Sequence, residues 1–166
     1  PLEVKTIEVA AAVHSRTGAP IHSHTEAGTM GLEQMEILRG LGVEMNRVSF
    51  GHMDRNLDLW YHRKLAESGC YLVFDGVGKI KYHPESALIE HILTLVRDGL
   101  EGQIMISGDN ARKSYFQSYG SGLGLGHSFH GFRRQFIEMA EAAGMDGVSL
   151  LNRFFFENAR GFLTFQ

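Results

Sequence analysis

Two hydrophobic patterns alternate along the chain: apolar residues spaced at a helical period, and short segments that contain apolar residues without this period, most clearly at 71–75 and 103–107. The first pattern predicts amphipathic helices, and the second predicts short buried strands. Together they predict helices over residues 4–14, 31–42, 57–69, 85–100, 132–143 and 148–160, and strands over residues 21–24, 47–51, 71–75 and 103–107. A helix therefore separates each predicted strand from the next.

This alternation indicates an α/β fold with one parallel sheet, because parallel neighbours need a right-handed crossover, usually a helix. Half of a barrel and a small doubly wound sheet both fit the pattern. A chain of 166 residues suits a single domain spanning 1–166, but it is too short for an eight-unit barrel of roughly 250 residues. The sequence opens without methionine and directly in a helical pattern, so we expect that a preceding segment is missing.

Metal-binding residue types stand at the ends of three predicted strands. His22 and His24 close the first strand, His52 follows the second, and Asp109 follows the fourth. The carboxyl ends of barrel strands meet at one mouth, where imidazoles and a carboxylate can hold a divalent metal and activate water. An isolated histidine at a strand end is more often only hydrogen-bonded, but equivalent positions on neighbouring strands favour the metal site.

Composition excludes several classes of function. A net charge of −3 argues against a nucleic-acid binder. No apolar run approaches the roughly 20 residues that span a bilayer, so we expect no membrane association. The first residues do not resemble a signal peptide, and a cytoplasmic location is the default expectation. The single cysteine, Cys70, excludes an internal disulfide and lies in an apolar run typical of a buried, inert thiol.

Four motifs resemble the phosphotriesterase-like family of the amidohydrolase superfamily. They lie at residues 24–30, 51–54 and 107–110, with a closing motif at residues 158–163, and they occur in the family's order and spacing. The resemblance covers essentially the whole chain. It implies that the four strands are strands five to eight, the C-terminal half, of a (β/α)8 TIM-type barrel.

The resemblance also implies a binuclear metal centre. His24 and His52 would bind one divalent ion; Asp109 would bind the other and act as the catalytic proton carrier. Zinc is the first expectation, with Mn, Co or Ni as alternatives, because all accept imidazole and carboxylate ligands. His22 lies two residues before His24 on the same predicted strand, and it would have a structural role and bind no metal.

The family's remaining ligands, a histidine pair on strand one and a bridging residue on strand four, are not in this sequence. A missing N-terminal half-barrel is therefore the expected partner, and this chain alone is expected to be inactive. Two open parallel edges would allow half-barrels to pair as a homo-oligomer.

Positive charge near Asp109 suggests an anionic substrate. Arg112 and Tyr115 are three residues apart, which would place them on a common face of one helical turn, and Lys81 lies on the preceding loop. This set resembles the branch of the family that opens phosphorylated sugar lactones, where such residues bind the phosphate. Lys79 and Lys113 are expected to be surface charges. The glycine-rich segment 120–124 is expected to be a mobile rim loop.

The resulting hypothesis is a metal-dependent hydrolase that opens a phosphorylated sugar lactone by attack of a hydroxide bridging the metals. A phosphotriester or phosphoester hydrolase of the same family is one alternative. A catalytically silent half-barrel module is another. A metal-independent phosphosugar isomerase or aldolase ranks last, because it would need a lysine or glutamate at a strand end.

Overall fold

The computed structural model describes residues 2–120 and 122–165. Its four strands are β1 (Ile21–Ser23), β2 (Val48–Phe50), β3 (Tyr71–Phe74) and β4 (Ile104–Ile106). Its helices are α1 (Leu2–Thr17), α2 (Gly31–Gly40), α3 (Leu59–Glu67), α4 (Glu85–Arg97), α5 (Gly131–Ala142), α6 (Gly147–Asn152) and α7 (Asn158–Leu163). The predicted strands and helices are confirmed, except that a π-helical turn, Arg153–Glu157, divides the last helix into α6 and α7.

The strands form one parallel sheet in the order β1-β2-β3-β4. Ile21 pairs with Val48 in β1 and β2, and Leu72 pairs with Ile104 in β3 and β4. Consecutive order along the sheet is that of a barrel wall, whereas a doubly wound sheet reverses its order at a switch point. For the described residues the doubly wound alternative is therefore wrong.

The main core lies between the sheet and its flanking helices. Phe50, Phe74 and Ile104 point into it and are fully buried with Leu65 of α3 and Ile92 of α4. Burial of each such side chain contributes about 1.5–3 kcal/mol relative to exposure.

A smaller apolar cluster covers part of the opposite face of the sheet. Val73 and Met105 pack there against Phe162 of α7. The amide of Asn158 donates to the carbonyls of Glu101 (2.9 Å) and Ile104 (2.7 Å), which anchors α7 at the beginning of β4.

Local sequence explains where the helices begin and end. Asp58 accepts a hydrogen bond from the backbone N–H of Tyr61 (3.1 Å) and so caps α3. After that helix, Gly69 adopts a φ of +99°, a conformation that favours glycine. Within the described part of the chain, no helix combines the length and apolar character needed to cross a membrane.

Candidate metal centre

Polar side chains that follow the four strands converge at one edge of the sheet. His24 follows β1, His52 follows β2, Asp75 follows β3 and Asp109 follows β4. The imidazole rings of His24 and His52 have centroids 4.7 Å apart and meet edge to face. Ligand-capable atoms of His52, Asp75 and Asp109 all lie within 4.8 Å of one another. The structure thus brings His52 and Asp109 together at the strand ends, with Asp75 as an additional member and His24 beside His52.

Asp75 fixes both the backbone and the ring of His52. The backbone N–H of His52 donates to Oδ2 of Asp75 (3.1 Å), and Nδ1 of His52 lies 2.7 Å from Oδ1. Since a carboxylate only accepts, Nδ1 carries a proton, and Nε2 is the ring nitrogen that remains available to a metal. His52 also has a φ of +63°, an uncommon conformation for a residue with a side chain. Because both Asp75 oxygens bind His52, Asp75 orients this imidazole.

Asp54 holds the backbone at Asp75 in place. Asp54 is fully buried, and its Oδ1 accepts the backbone N–H groups of Asp75 (2.8 Å) and Gly76 (2.9 Å). Burial and the neighbouring charge of Asp75 raise the pKa of Asp54 despite those two hydrogen bonds. A Cβ at Gly76 would lie 1.9 Å from Oδ2 of Asp54, so only glycine fits there.

Asp109 is held by cations. Nζ of Lys79 lies 2.6 Å from its Oδ2, and Arg55 lies 3.5 Å from the same atom. Burial alone raises the pKa of the Asp109 carboxyl. The hydrogen bond and charge of Lys79 outweigh this effect, with smaller contributions from His52 and Arg55, and hold the pKa of Asp109 below its usual range. Asp109 also has a positive φ of 37°.

The expectation that Lys79 is a surface charge is wrong. Its side chain is only 5% exposed. Nζ donates to the carbonyl oxygens of Asp75 (3.3 Å) and Asp109 (3.0 Å) as well as to the Asp109 carboxylate. These acceptors offset the cost of burying the ammonium. The lysine therefore belongs to the site, whereas Lys113 is exposed as expected.

The remaining predicted histidines differ in their surroundings. His24 has a side chain 60% exposed, and its Nε2 lies 3.5 Å from Glu26, so it adjoins His52 without joining the tighter group. His22 lies one alternation earlier along β1, where its Nδ1 is 2.8 Å from the Ser49 hydroxyl. This hydrogen bond is consistent with a structural role for His22.

The predicted substrate residues are only partly brought together. Lys81 and Tyr115 line one cavity of about 300 Å³, whereas Arg112 is exposed and lies outside its lining. The common-face argument for Arg112 and Tyr115 is wrong. Arg112 is extended (φ −111°, ψ 140°), and only a short 3-10 turn, Lys113–Tyr115, follows it. The predicted rim loop at 120–124 borders the same cavity, although Ser121 lies outside the described residues.

The donor set suits a divalent transition metal. An imidazole nitrogen with its other nitrogen bound to a carboxylate, beside an ionised aspartate, is the combination that Zn, Mn, Co and Ni accept. The strand-end pattern already offered one signal for Asp75, which directly follows β3. Asp54 lies in the motif at residues 51–54, but no sequence signal marks its contacts or those of Lys79, since their partners lie on neighbouring strands and loops.

Comparison with known proteins extends this picture. A family model described as the Phosphotriesterase family matches residues 1–163. A phospho-furanose lactonase of Mycoplasmopsis agalactiae is 35% identical over 171 residues, covering 99% of this chain and 47% of that protein.

Solved structures agree with the sequence comparison. A lactonase from Listeria monocytogenes is 51% identical with a TM-score of 0.97, covering 100% of this chain and 50% of that one. The phosphotriesterase homology protein of Escherichia coli, solved with phosphate in its active site, is 34% identical with a TM-score of 0.91, covering 99% of this chain and 55% of that one. The chain thus spans about half the length of these relatives, and its parallel sheet is similar to their TIM barrels.

Proposed function

The chain belongs to the phosphotriesterase family, and on this premise we propose that it forms strands five to eight of a (β/α)8 barrel in a metal-dependent hydrolase. Residues 1–166 would be one domain of that enzyme. The observation that carries the proposal is the cluster of His52, Asp75 and Asp109, whose ligand-capable atoms lie within 4.8 Å at the carboxyl ends of adjacent strands. Active sites of such barrels lie at that edge.

In this proposal His24 and His52 hold one divalent ion, zinc by first expectation, and Asp109 holds a second. Bound there, the ions would polarise a carbonyl group and lower the pKa of water. Asp75 keeps Nε2 of His52 free to bind, because it occupies Nδ1 (2.7 Å). Further ligands would come from barrel strands other than these four.

The chain's own residues then provide proton transfer and orientation. A carboxylate oxygen of Asp109 takes the proton of the attacking water and passes it to the departing ring oxygen of a lactone. Lys79, 2.6 Å from Oδ2, keeps this carboxylate ionised and fixes its direction. General acid–base transfer of this kind typically contributes 10²–10⁴-fold to the rate.

We assign the substrate as a phosphorylated sugar lactone. Lys81 and Tyr115 line the cavity of about 300 Å³, and Arg112 on the exposed rim would reach the phosphate from outside. Binding a phosphate remote from the reacting carbon orients the ester for attack. The lactonase names of two relatives support this assignment.

A second candidate is a phosphoester or phosphotriester hydrolase. It is favoured by one observation, the phosphate in the active site of the Escherichia coli relative, since a phosphate group there suits either kind of substrate. The remaining alternative to both hydrolases is a catalytically silent half-barrel module, which would turn over neither kind of substrate.

Turnover by the complete, metal-loaded protein tests the proposal. A furanose lactone carrying a phosphate should be opened, and a chelator should abolish the activity. Asp109→Asn should lower kcat by about 10²–10⁴-fold, because the amide cannot carry the proton. Faster turnover of a phosphoester would favour the second candidate. Full activity in Asp109→Asn would contradict the assigned proton carrier.

A further inference from the structure

The cavity of about 300 Å³ beside the cluster of His52, Asp75 and Asp109 lies between two rim loops. Residues 77–81, after β3, form one wall, and residues from the segment 110–127, after β4, form the other. Among the described residues, its lining contains two lysines, Lys79 and Lys81, and no carboxylate. Its charge therefore suits an anionic group.

Side chains, and not backbone hydrogen bonds, connect these two loops. Within the described part of the chain, no backbone hydrogen bond joins residues 76–83 to residues 108–130. Each loop is organised internally, the first by Lys79 N–H to Gly76 O (2.8 Å) and the second by Gly124 N–H to Tyr115 O (3.0 Å). The separation of the two walls must therefore be set by side chains.

Besides Lys79, which contacts Asp109 (2.6 Å), one carboxylate oxygen connects the two loops. Oε1 of Glu85, the first residue of α4, accepts the backbone N–H of Gly78 (2.8 Å) and lies 2.8 Å from Nε2 of His127. The Glu85 and His127 side chains are only 15% and 17% exposed. A charge-assisted contact shielded in this way is stronger than one in open solvent.

The ring of His127 packs closely against bare backbone. A Cβ at Gly78, which has a φ of +82°, would lie 3.2 Å from Cδ2 of His127. A Cβ at Gly131, where α5 begins, would lie 2.7 Å from Cε1. The ring thus has little room to shift, and it sets the distance between Gly78 on one loop and the start of α5 after the other.

We propose that Glu85 and His127 are positioning residues for the cavity of about 300 Å³ and for the anion that it would bind. They hold the two loops at the separation at which Lys81 and Tyr115 can bind one phosphate group. The proposal rests on the proposed function and deepens it. Neither residue belongs to the cluster of His52, Asp75 and Asp109, so their loss should weaken phosphate binding and spare the chemical step.

Variants at Glu85 test this in the complete, metal-loaded protein, with inorganic phosphate as a competitive inhibitor. Glu85→Ala should weaken phosphate inhibition by about 10-fold and raise KM for a phosphorylated lactone similarly, as for loss of one charge-assisted contact. Its kcat should change less than about twofold. Glu85→Gln keeps the accepting oxygen and should retain most of the affinity. The matched control is Glu90→Ala on the same helix, because Glu90 contacts Arg97 (2.9 Å) and neither loop.

Hydrogen exchange gives a readout that does not depend on turnover. The Gly78 amide should exchange faster in Glu85→Ala than in the parent, because its acceptor is gone. Unchanged exchange with unchanged phosphate inhibition would overturn the proposal, and so would equal losses on phosphorylated and unphosphorylated lactones. A parent protein that opens no lactone would contradict the proposed function alone, since the exchange measurement reports the hydrogen bond from Gly78 to Glu85 separately.

Discussion

A buried pair of histidines should make the stability of this chain depend on pH. Nδ1 of His62 in α3 lies 2.7 Å from Nε2 of His91 in α4, and the two residues are 0% and 7% exposed. Burial, followed by the charge of His91, lowers the pKa of His62 to about 3. Burial also lowers the pKa of His91 to about 4. Around His91, His83 and Arg63 lower the pKa further, and Asp58 opposes them.

The direction of the effect follows from these values. In the unfolded chain both histidines have pKa values near 6.5, so below that pH the unfolded state binds protons that the folded state does not. The neutral pair therefore leaves the folded state at its full stability above about pH 6.5. This stability is lost progressively as the pH falls from 6.5 toward the folded pKa values of about 4 and 3. At pH 5, about 1.5 units below 6.5, each histidine lowers the free energy of unfolding by about 2 kcal/mol. The loss for the pair is about 4 kcal/mol. This is a large part of a typical folding free energy of about 5–15 kcal/mol.

Urea denaturation at pH 7 and pH 5 measures this loss. The parent chain should lose about 4 kcal/mol more unfolding free energy between the two pH values than the double variant His62→Phe/His91→Leu. Carboxylates contribute to acid destabilisation in both chains, so the difference isolates the pair. His130→Gln, at an exposed histidine, should behave as the parent does. Equal losses in the parent and the double variant would refute the reasoning.

Three further predictions concern the site. Asp75→Asn should weaken metal binding about 10–100-fold by chelator competition, since an amide no longer holds the His52 tautomer; unchanged affinity would remove Asp75 from this role. Gly76→Ala should lower the melting temperature and the free energy of unfolding, the latter by about 1–3 kcal/mol, because the added Cβ would lie 1.9 Å from Oδ2 of Asp54. The control Gly102→Ala should leave the melting temperature unchanged, because its Cβ would have no atom within 4 Å. Arg112→Met should reduce kcat/KM about 10–150-fold on a phosphorylated lactone and little on the unphosphorylated analogue; equal losses would exclude a phosphate contact.

Local pattern predicts the fold well, because its signals are contained within each segment. Helical periodicity marks α4, and continuous apolar runs mark the strands β3 and β4. Once a parallel sheet is inferred, the meeting of His52 and Asp109 at its carboxyl edge follows from topology.

Contacts between neighbouring loops could not be predicted in this way. Lys79 looks like an ordinary rim lysine until Asp109 and the Asp75 carbonyl are placed beside it. Asp54 is recognisable only as part of a motif, and its hydrogen bonds to the backbone after β3 depend on the fold. The extended backbone at Arg112 is likewise set by the loop, and three-residue spacing alone could not reveal it.

Elemental analysis of the complete protein, purified without chelator, tests the central claim most directly. We expect about two divalent ions per chain, held in part by His24, His52 and Asp109. Replacing His52 by Ala should remove at least one of them while the chain stays folded. Absence of bound metal in the parent protein, even after supplementation with Zn, Mn, Co or Ni, would contradict the proposed metal-dependent hydrolase.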